Sequence, residues 1–334
     1  MTAALVRTPF GNTATSSERG FIIIAVLWIL VALSALAMIF SVYLSSSARA
    51  LGTTDTGVQV DALVSASLEL TAYQLLRADE KDPPSQGSFR FRMDNAEVLV
   101  TFTSEAARVD LNTASKEMLA GLFEVLGAEQ KAAGELADRI VGWRTASKPG
   151  ANGDEGALYL SAGLNYSPRQ AHFAHVNELS LVLGASPALI ERALPYLTVF
   201  SKSADVDVLI ASPEVIAALP GMTPEVLNDF LKQRPSLPHD QKAIAAALGA
   251  TKIPATLPQT KAFRVLTTLR FDNGRRSSSE AVILLGSAKS SDKASTGASS
   301  ASTKGKDEDE KPYSILSWQD QAETGSRPLK QAGR

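Results

Sequence analysis

Few residues in this chain have the types and spacing that chemistry needs. His172, His175 and Glu178 are spaced so that three metal-ligating groups would converge from one helical face, as zinc requires. Histidines near a helix start serve as readily in surface or capping roles. The chain has three histidines and no cysteine, which excludes disulfides, thiolate catalysis and thiolate metal sites. No Ser-His-Asp, HExxH or phosphate-cradling glycine motif is present, which argues against an enzyme. The remaining chemistry would be done to the chain. The charged pair Glu18-Arg19 and then Gly20 give way at once to apolar Phe21, and so sharp an edge looks like a processing site.

Behind that edge runs the element that must position it. Phe21 to Leu44 contains no charged residue and meets the length of about twenty residues that spans a bilayer as a helix. One membrane span follows. Three readings fit the edge. A secretory signal would use Ala48-Arg49-Ala50 as its cleavage site, although the apolar run is long for one. An uncleaved anchor would ask nothing of Gly20. A leader peptide cut at Gly20 is the third. Arg7 and Arg19 precede the span and Arg49 follows it, so the basic-residue asymmetry is slight. The short polar leader nevertheless favours an N-terminus in the cytoplasm with the bulk of the chain outside.

With 334 residues the chain has room for two domains beside the span. A net charge of -2 gives no global attraction to nucleic acid. Residues 1–20 read as an unfolded leader, and helix is compatible with 45–78 until Asp82-Pro83-Pro84 ends it. Phe89 to Arg92 and Val98 to Phe102 read as a hairpin about Met93-Asp94-Asn95, with Phe89 and Phe91 on one face. From Val109 to about Pro258 the pattern is that of an all-helical module. Its first helix opens at Asn112 or Thr113 as N-cap, and Ser186-Pro187, Ser212-Pro213-Glu214 and Thr223-Pro224-Glu225 mark later starts.

The module holds a weak internal repeat: 110–122 aligns without gaps against 207–219. Strands resume with Phe263 to Phe271, the turn Asp272-Asn273-Gly274, and Ser279 to Leu285. Ser287 to Lys311 has the composition of a disordered loop, and Tyr313 to Trp318 reads as a closing strand before a polar end from Gln319. Strands on both sides of the helical block imply that it is inserted into one sheet domain.

Gly20 before Phe21, with basic Arg19 ahead, resembles the cleavage site of the type IV prepilin family. In that family the fifth mature residue is usually glutamate, and here it is Ala25. That departure is typical of the GspK family, the minor pseudopilins of type II secretion. The Asn112-Thr113-Ala114 segment, Ile140 to Arg144, Gly163 to Arg169, Asn177 to Leu179 and Leu194 to Val199 are similar to that family's order of motifs. Val109 to Ser115 and Leu219 to Thr223 also resemble helix-hairpin-helix DNA-binding proteins, whose glycine turn offers amides to phosphate. Around Gly221, however, Glu225 and Asp229 lie closer than Lys232 and Arg234, so the counterion release that DNA binding needs is poorly served.

The resemblance to GspK implies an α+β fold: a pilin-like long N-terminal helix packed on an antiparallel sheet, with a large all-α domain (helix-hairpin-helix or SAM-like) inserted between strands. The implied domains are a prepilin leader (1–20), a transmembrane helix (21–44), a pilin-like domain in two parts (45–108 and 259–318), the inserted helical domain (109–258) and a polar end (319–334). The implied function is a non-enzymatic pseudopilus subunit at the tip that helps to start assembly. Processing would use Gly20 and Phe21, with methylation of Phe21, and Phe21, Ala25, Trp28 and Leu44 would lie on the membrane and assembly helix. Implied partners are GspI, GspJ, GspH, prepilin peptidase and the inner-membrane assembly platform, with no nucleic acid. The implied location is a single-pass inner-membrane protein with a periplasmic bulk.

No cofactor is required by this resemblance, although calcium belongs to some inserts of the family. The loop from Asn152 to Gly156, with Asp154 and Glu155, is the one suited to a hard cation, and Asn165 would join it. Arg144 to Lys148 stands where the family carries acidic residues, which favours a plain solvated loop.

Overall fold

The computed structural model describes residues 18–78, 84–146, 155–249, 260–286 and 312–321, with backbone alone at 18–22, 45–56 and 321. Two compact units are present, Met1–Ala62 and Leu63–Arg334.

A single helix, α1, runs from Glu18–Arg77, carries no proline, and ends with Arg77 complementing the helix dipole. Its first three residues, Glu18 to Gly20, fall within the expected leader. In its C-terminal part Leu63, Val64, Leu68, Ala72 and Leu75 form a buried stripe at helical spacing. Ser67 and Thr71 lie in the same stripe, and their hydroxyls donate to the Leu63 and Ser67 carbonyls at 2.7 Å, so these buried groups are satisfied.

The strands are β1 Gln86–Met93, β2 Ala96–Ser104, β3 Val109–Asp110, β4 Leu197–Thr198, β5 Ala262–Phe271, β6 Arg276–Leu285 and β7 Tyr313–Gln321. Five of them make an antiparallel sheet in the order β1-β2-β5-β6-β7. Alternation decides its two faces. Ala96, Val98, Val100 and Phe102 are buried and lie opposite Phe271, Leu269, Thr267 and Val265. The two-residue turn Asp94-Asn95 joins β1 to β2 with Asp94 at φ 52°, the left-handed backbone such hairpins demand. Tyr313 of β7 donates its hydroxyl to Glu69 of α1 at 3.2 Å, which fixes the C-terminal part of α1 to the sheet. β7 extends to Gln321, beyond the expected strand end. The Ser287 to Lys311 stretch expected to be disordered lies outside the described residues.

Between β2 and β5 the chain forms α2 Lys116–Val125, α3 Gln130–Arg144, α4 Glu155–Ser161, α5 Pro187–Ala193, α6 Pro213–Ala217, α7 Pro224–Gln233 and α8 Gln241–Ala247. The expected caps Ser186, Ser212 and Thr223 accept hydrogen bonds from Leu189, Val215 and Val226 N–H.

Two expectations need correction. The cap of α2 is Ser115, whose hydroxyl accepts from Met118 N–H at 3.1 Å, because Asn112 and Thr113 sit in the preceding turn with other bonds to make. Nor is the block all-helical, since β3 and β4 pair in parallel, Val109 with Leu197 and Asp110 with Thr198. Two-residue strands leave no periodicity for a sequence reading to find.

Candidate assembly site

At the N-terminal end of the chain, Ile23–Leu44 is a 22-residue apolar stretch of mean hydropathy 2.9. At about 1.5 Å per residue it is long enough to span the roughly 30 Å of a hydrocarbon core. Among the described residues its large apolar side chains are exposed, Trp28 at 71%. Gly20 and Phe21 lie in the first turns of α1, and Ala25 follows them on the same helix. No carboxylate enters the apolar stretch, and burying one in hydrocarbon without a partner is costly.

The gapless sequence repeat is a structural repeat, matched bond for bond. Asp110 accepts from Asn112 N–H at 2.8 Å, and Asp207 accepts from Leu209 N–H at 3.0 Å. The Ala114 and Ala211 N–H groups each donate to the carbonyl of their aspartate at 2.9 Å. Ser115 and Ser212 then cap α2 and α6. Each first helix leads through a glycine of positive φ, Gly127 at 91° and Gly221 at 82°, into a second helix. Arg144 ends α3 and Arg234 caps the end of α7, and both reach back to the start of their own hairpin. Arg144 donates to the Leu111 and Ala114 carbonyls at 2.6 and 2.7 Å, and Arg234 to the Ala211 carbonyl at 2.7 Å.

The copies differ where the first meets the rest of the block. Asp110 also receives Lys202 N–H at 2.9 Å and the Ser201 hydroxyl at 3.2 Å. Asp207 has fewer donors, and burial raises its carboxyl above the usual range, against the opposing pull of Leu209 N–H, Ser85 and His239. Asn112 pairs with the Phe173 backbone in both directions, at 2.7 and 3.0 Å.

The block is held to the outer face of the sheet by charge. Glu105, fully buried, accepts from Arg264 of β5 at 2.7 Å and 3.2 Å and from the hydroxyl of Thr198 in β4. Arg264 also bonds Glu280 of β6. Burial works against the Arg264 cation, but bonding and charge from Glu105 and then Glu280 outweigh it, so its proton affinity is raised. Removing one partner of such a pair leaves an uncompensated buried charge.

Two of the three residues with zinc-like spacing are engaged in other bonds. Glu178 accepts from Arg169 at 2.7 Å and Ala174 N–H at 3.0 Å, and His175 Nδ1 caps Asn177 N–H at 3.1 Å. His172 is exposed. Glu155 is paired with Arg139 at 3.0 Å, Asn165 is exposed, and Asp154 lies outside the described residues. Among the described residues no three acidic, histidine or cysteine side chains are grouped to hold an ion.

Sequence reasoning missed Glu105, Arg144, Arg234 and Arg264. A signal existed for the two arginines, each closing a helical hairpin. Arg144 lies 30 residues from Ala114 and Arg234 only 23 from Ala211, so a gapless alignment could not bring them into register.

Comparison with known proteins adds three findings. The family profile described as Type II secretion system (T2SS), protein K matches residues 95–202. Type II secretion system protein K of Klebsiella pneumoniae is 26% identical over 239 residues, which cover 63% of this chain and 72% of that protein. A chain in the crystal structure of the GspK-GspI-GspJ complex from the enterotoxigenic Escherichia coli type 2 secretion system aligns with a TM-score of 0.50. That alignment has 14% identity and covers 82% of this chain and 98% of the other, a likeness of fold. These matches lend no support to the DNA-binding reading.

Proposed function

Because residues 95–202 match the profile of type II secretion system protein K, we propose that the chain is a non-enzymatic minor pseudopilin of the pseudopilus. One observation carries the reading: a 60-residue helix whose first part is apolar and exposed at Ile23–Leu44, and whose last turns are buried in an antiparallel sheet domain. A helix of that kind anchors a subunit in the inner membrane before assembly and packs against neighbouring helices afterwards.

In this reading prepilin peptidase cuts between Gly20 and Phe21 and methylates Phe21, and the bulk of the chain lies in the periplasm. The partition is a leader over 1–20, a span over 21–44, a pilin-like domain over 45–108 and 259–318, and a helix-hairpin-helix insert over 109–258. Ala25 offers no carboxylate to the amine of a subunit ahead of it, so the subunit caps the tip and helps to start assembly. GspI and GspJ, which form a complex with GspK in the similar structure, are the expected neighbours, together with GspH and the inner-membrane platform. No cofactor is needed for this role.

The N-terminus and intact mass of the protein recovered from its host's membranes test the proposal. A chain beginning at methylated Phe21 supports it, and a Gly20→Asp variant should remain at full length and fail in secretion. A chain beginning at Met1, or a Gly20→Asp variant that still matures and supports secretion, would overturn it.

A further inference from the structure

The helical block does not close completely on the sheet. It leaves a cleft of about 290 Å³ whose apolar wall includes Pro195, Ile210, Val215 and Leu266, and whose polar side includes Thr103 and Arg108. That volume is at the small end of small-molecule sites and suits one side chain or a compact acid.

Arg108 is the unusual group in it. Arg264 and Glu280 also line the cleft, with Glu105 next to them, but Glu280 accepts from Arg264, and Glu105 accepts from Arg264 and the Thr198 hydroxyl, so neither carboxylate bonds Arg108. Among the described residues no hydrogen bond reaches the half-buried Arg108 guanidinium, which lines the cleft. A guanidinium has five N–H donors in a fixed fork that matches a carboxylate. Burial, and then repulsion from Arg264, lower its proton affinity, while the charges of Glu105 and Glu280 oppose this without bonding it. An incoming anion would relieve both effects. Tyr196, also in the wall, is turned to Glu214, so it does not compete for Arg108.

We propose that this cleft is a carboxylate-binding site anchored by Arg108, with the aliphatic wall taking the methylenes of a compact acid. An aspartate or glutamate side chain of another protein chain and a free dicarboxylate share this chemistry.

The test uses the full chain in detergent micelles, labelled with ¹⁵N-arginine, and follows the Nε–Hε signal that disappears in Arg108→Gln. Succinate is titrated in one arm and the blocked peptide acetyl-Ala-Asp-Ala-amide in the other, with the asparagine peptide as control. A saturable shift of the Arg108 signal is expected, weakened by salt. Saturation at lower peptide concentration assigns the site to a protein side chain, and at lower succinate concentration to a free acid. Leu266→Trp enlarges a side chain of the apolar wall while leaving Arg108 itself in place, and should weaken binding roughly tenfold. No saturable shift in either arm, or a shift unchanged in Leu266→Trp, overturns the proposal.

Discussion

Gly121 of α2 and Ala218, the residue that caps the end of α6, occupy equivalent positions of the two helical hairpins, and the backbones meet there. A Cβ added to Gly121 would lie 2.4 Å from the Ala218 carbonyl oxygen. The repeat is therefore packed copy against copy through a residue that has no side chain.

This contact gives an opposed pair of mutations. Gly→Ala within a helix ordinarily stabilises by about 0.5–1 kcal/mol, and Gly134→Ala in α3, where a Cβ meets nothing within 4 Å, should do so. Gly121→Ala should instead destabilise by about 1–3 kcal/mol, because the obstructing atom is backbone and cannot swing away. Urea unfolding of the two variants checks this, and a Gly121→Ala midpoint at or above wild type would sink the packing argument.

Glu105 and Arg264 offer a test of how the block is held to the sheet. Glu105→Gln should cost about 3–5 kcal/mol, since Arg264 would lose its fully buried partner. Replacing both, by leucine and methionine, should cost less than the single change. Denaturant unfolding measures each variant, and a loss below about 1 kcal/mol for Glu105→Gln would show that the pair contributes little.

The two repeat aspartates should respond oppositely to amidation. Burial raises the Asp207 carboxyl, so the folded state holds that proton more tightly than the unfolded chain does. Its contribution is complete below the ordinary carboxylate value of about 4 and is lost as pH rises through the raised folded value. Asp207→Asn should therefore remove a fall in stability on that rise and leave the protein no weaker at pH 7. Asp110→Asn should lose about 1–3 kcal/mol at pH 7, because its charge holds Lys202 N–H and the Ser201 hydroxyl. Unfolding free energies at pH 4.5 and 7 for both variants decide the matter, and equal effects would contradict it.

Tyr313 supplies an alkaline signature. Burial, and then the charge and hydrogen bond of Glu69, push its phenol up to about 12. The neutral phenol is favoured in the folded state, so its contribution is full below the ordinary value of about 10 and is lost as pH climbs through about 12. Tyr159 and Tyr196 are raised as well, so ultraviolet titration should show several late tyrosines, with the amplitude near pH 12 reduced by one in Tyr313→Phe. An unchanged titration curve in that variant would assign the late group elsewhere.

Features set by neighbours along the chain could be read from the residues alone. An uninterrupted apolar run has few fates, so a long apolar helix over Phe21 to Leu44 was legible. Turn chemistry at Asp94-Asn95 and Asp272 to Gly274 announced the hairpins, and Ser-Pro and Thr-Pro pairs announced helix starts, because those preferences act within a few residues. The repeat was legible where both copies kept the same length.

The rest waited on folding. Asn112 has the chemistry of a cap, but its amide is taken by the Phe173 backbone, so Ser115 caps α2 instead. Glu105 meets Arg264 across 159 residues, and β3 meets β4 across the whole first hairpin. His172, His175 and Glu178 had the spacing of ligands, yet Arg169 had already claimed Glu178. A side chain's local options are set by its type and its neighbours along the chain. Which option it takes depends on the donors and charges that folding brings within about 3 Å, and spacing along the chain does not encode that distance.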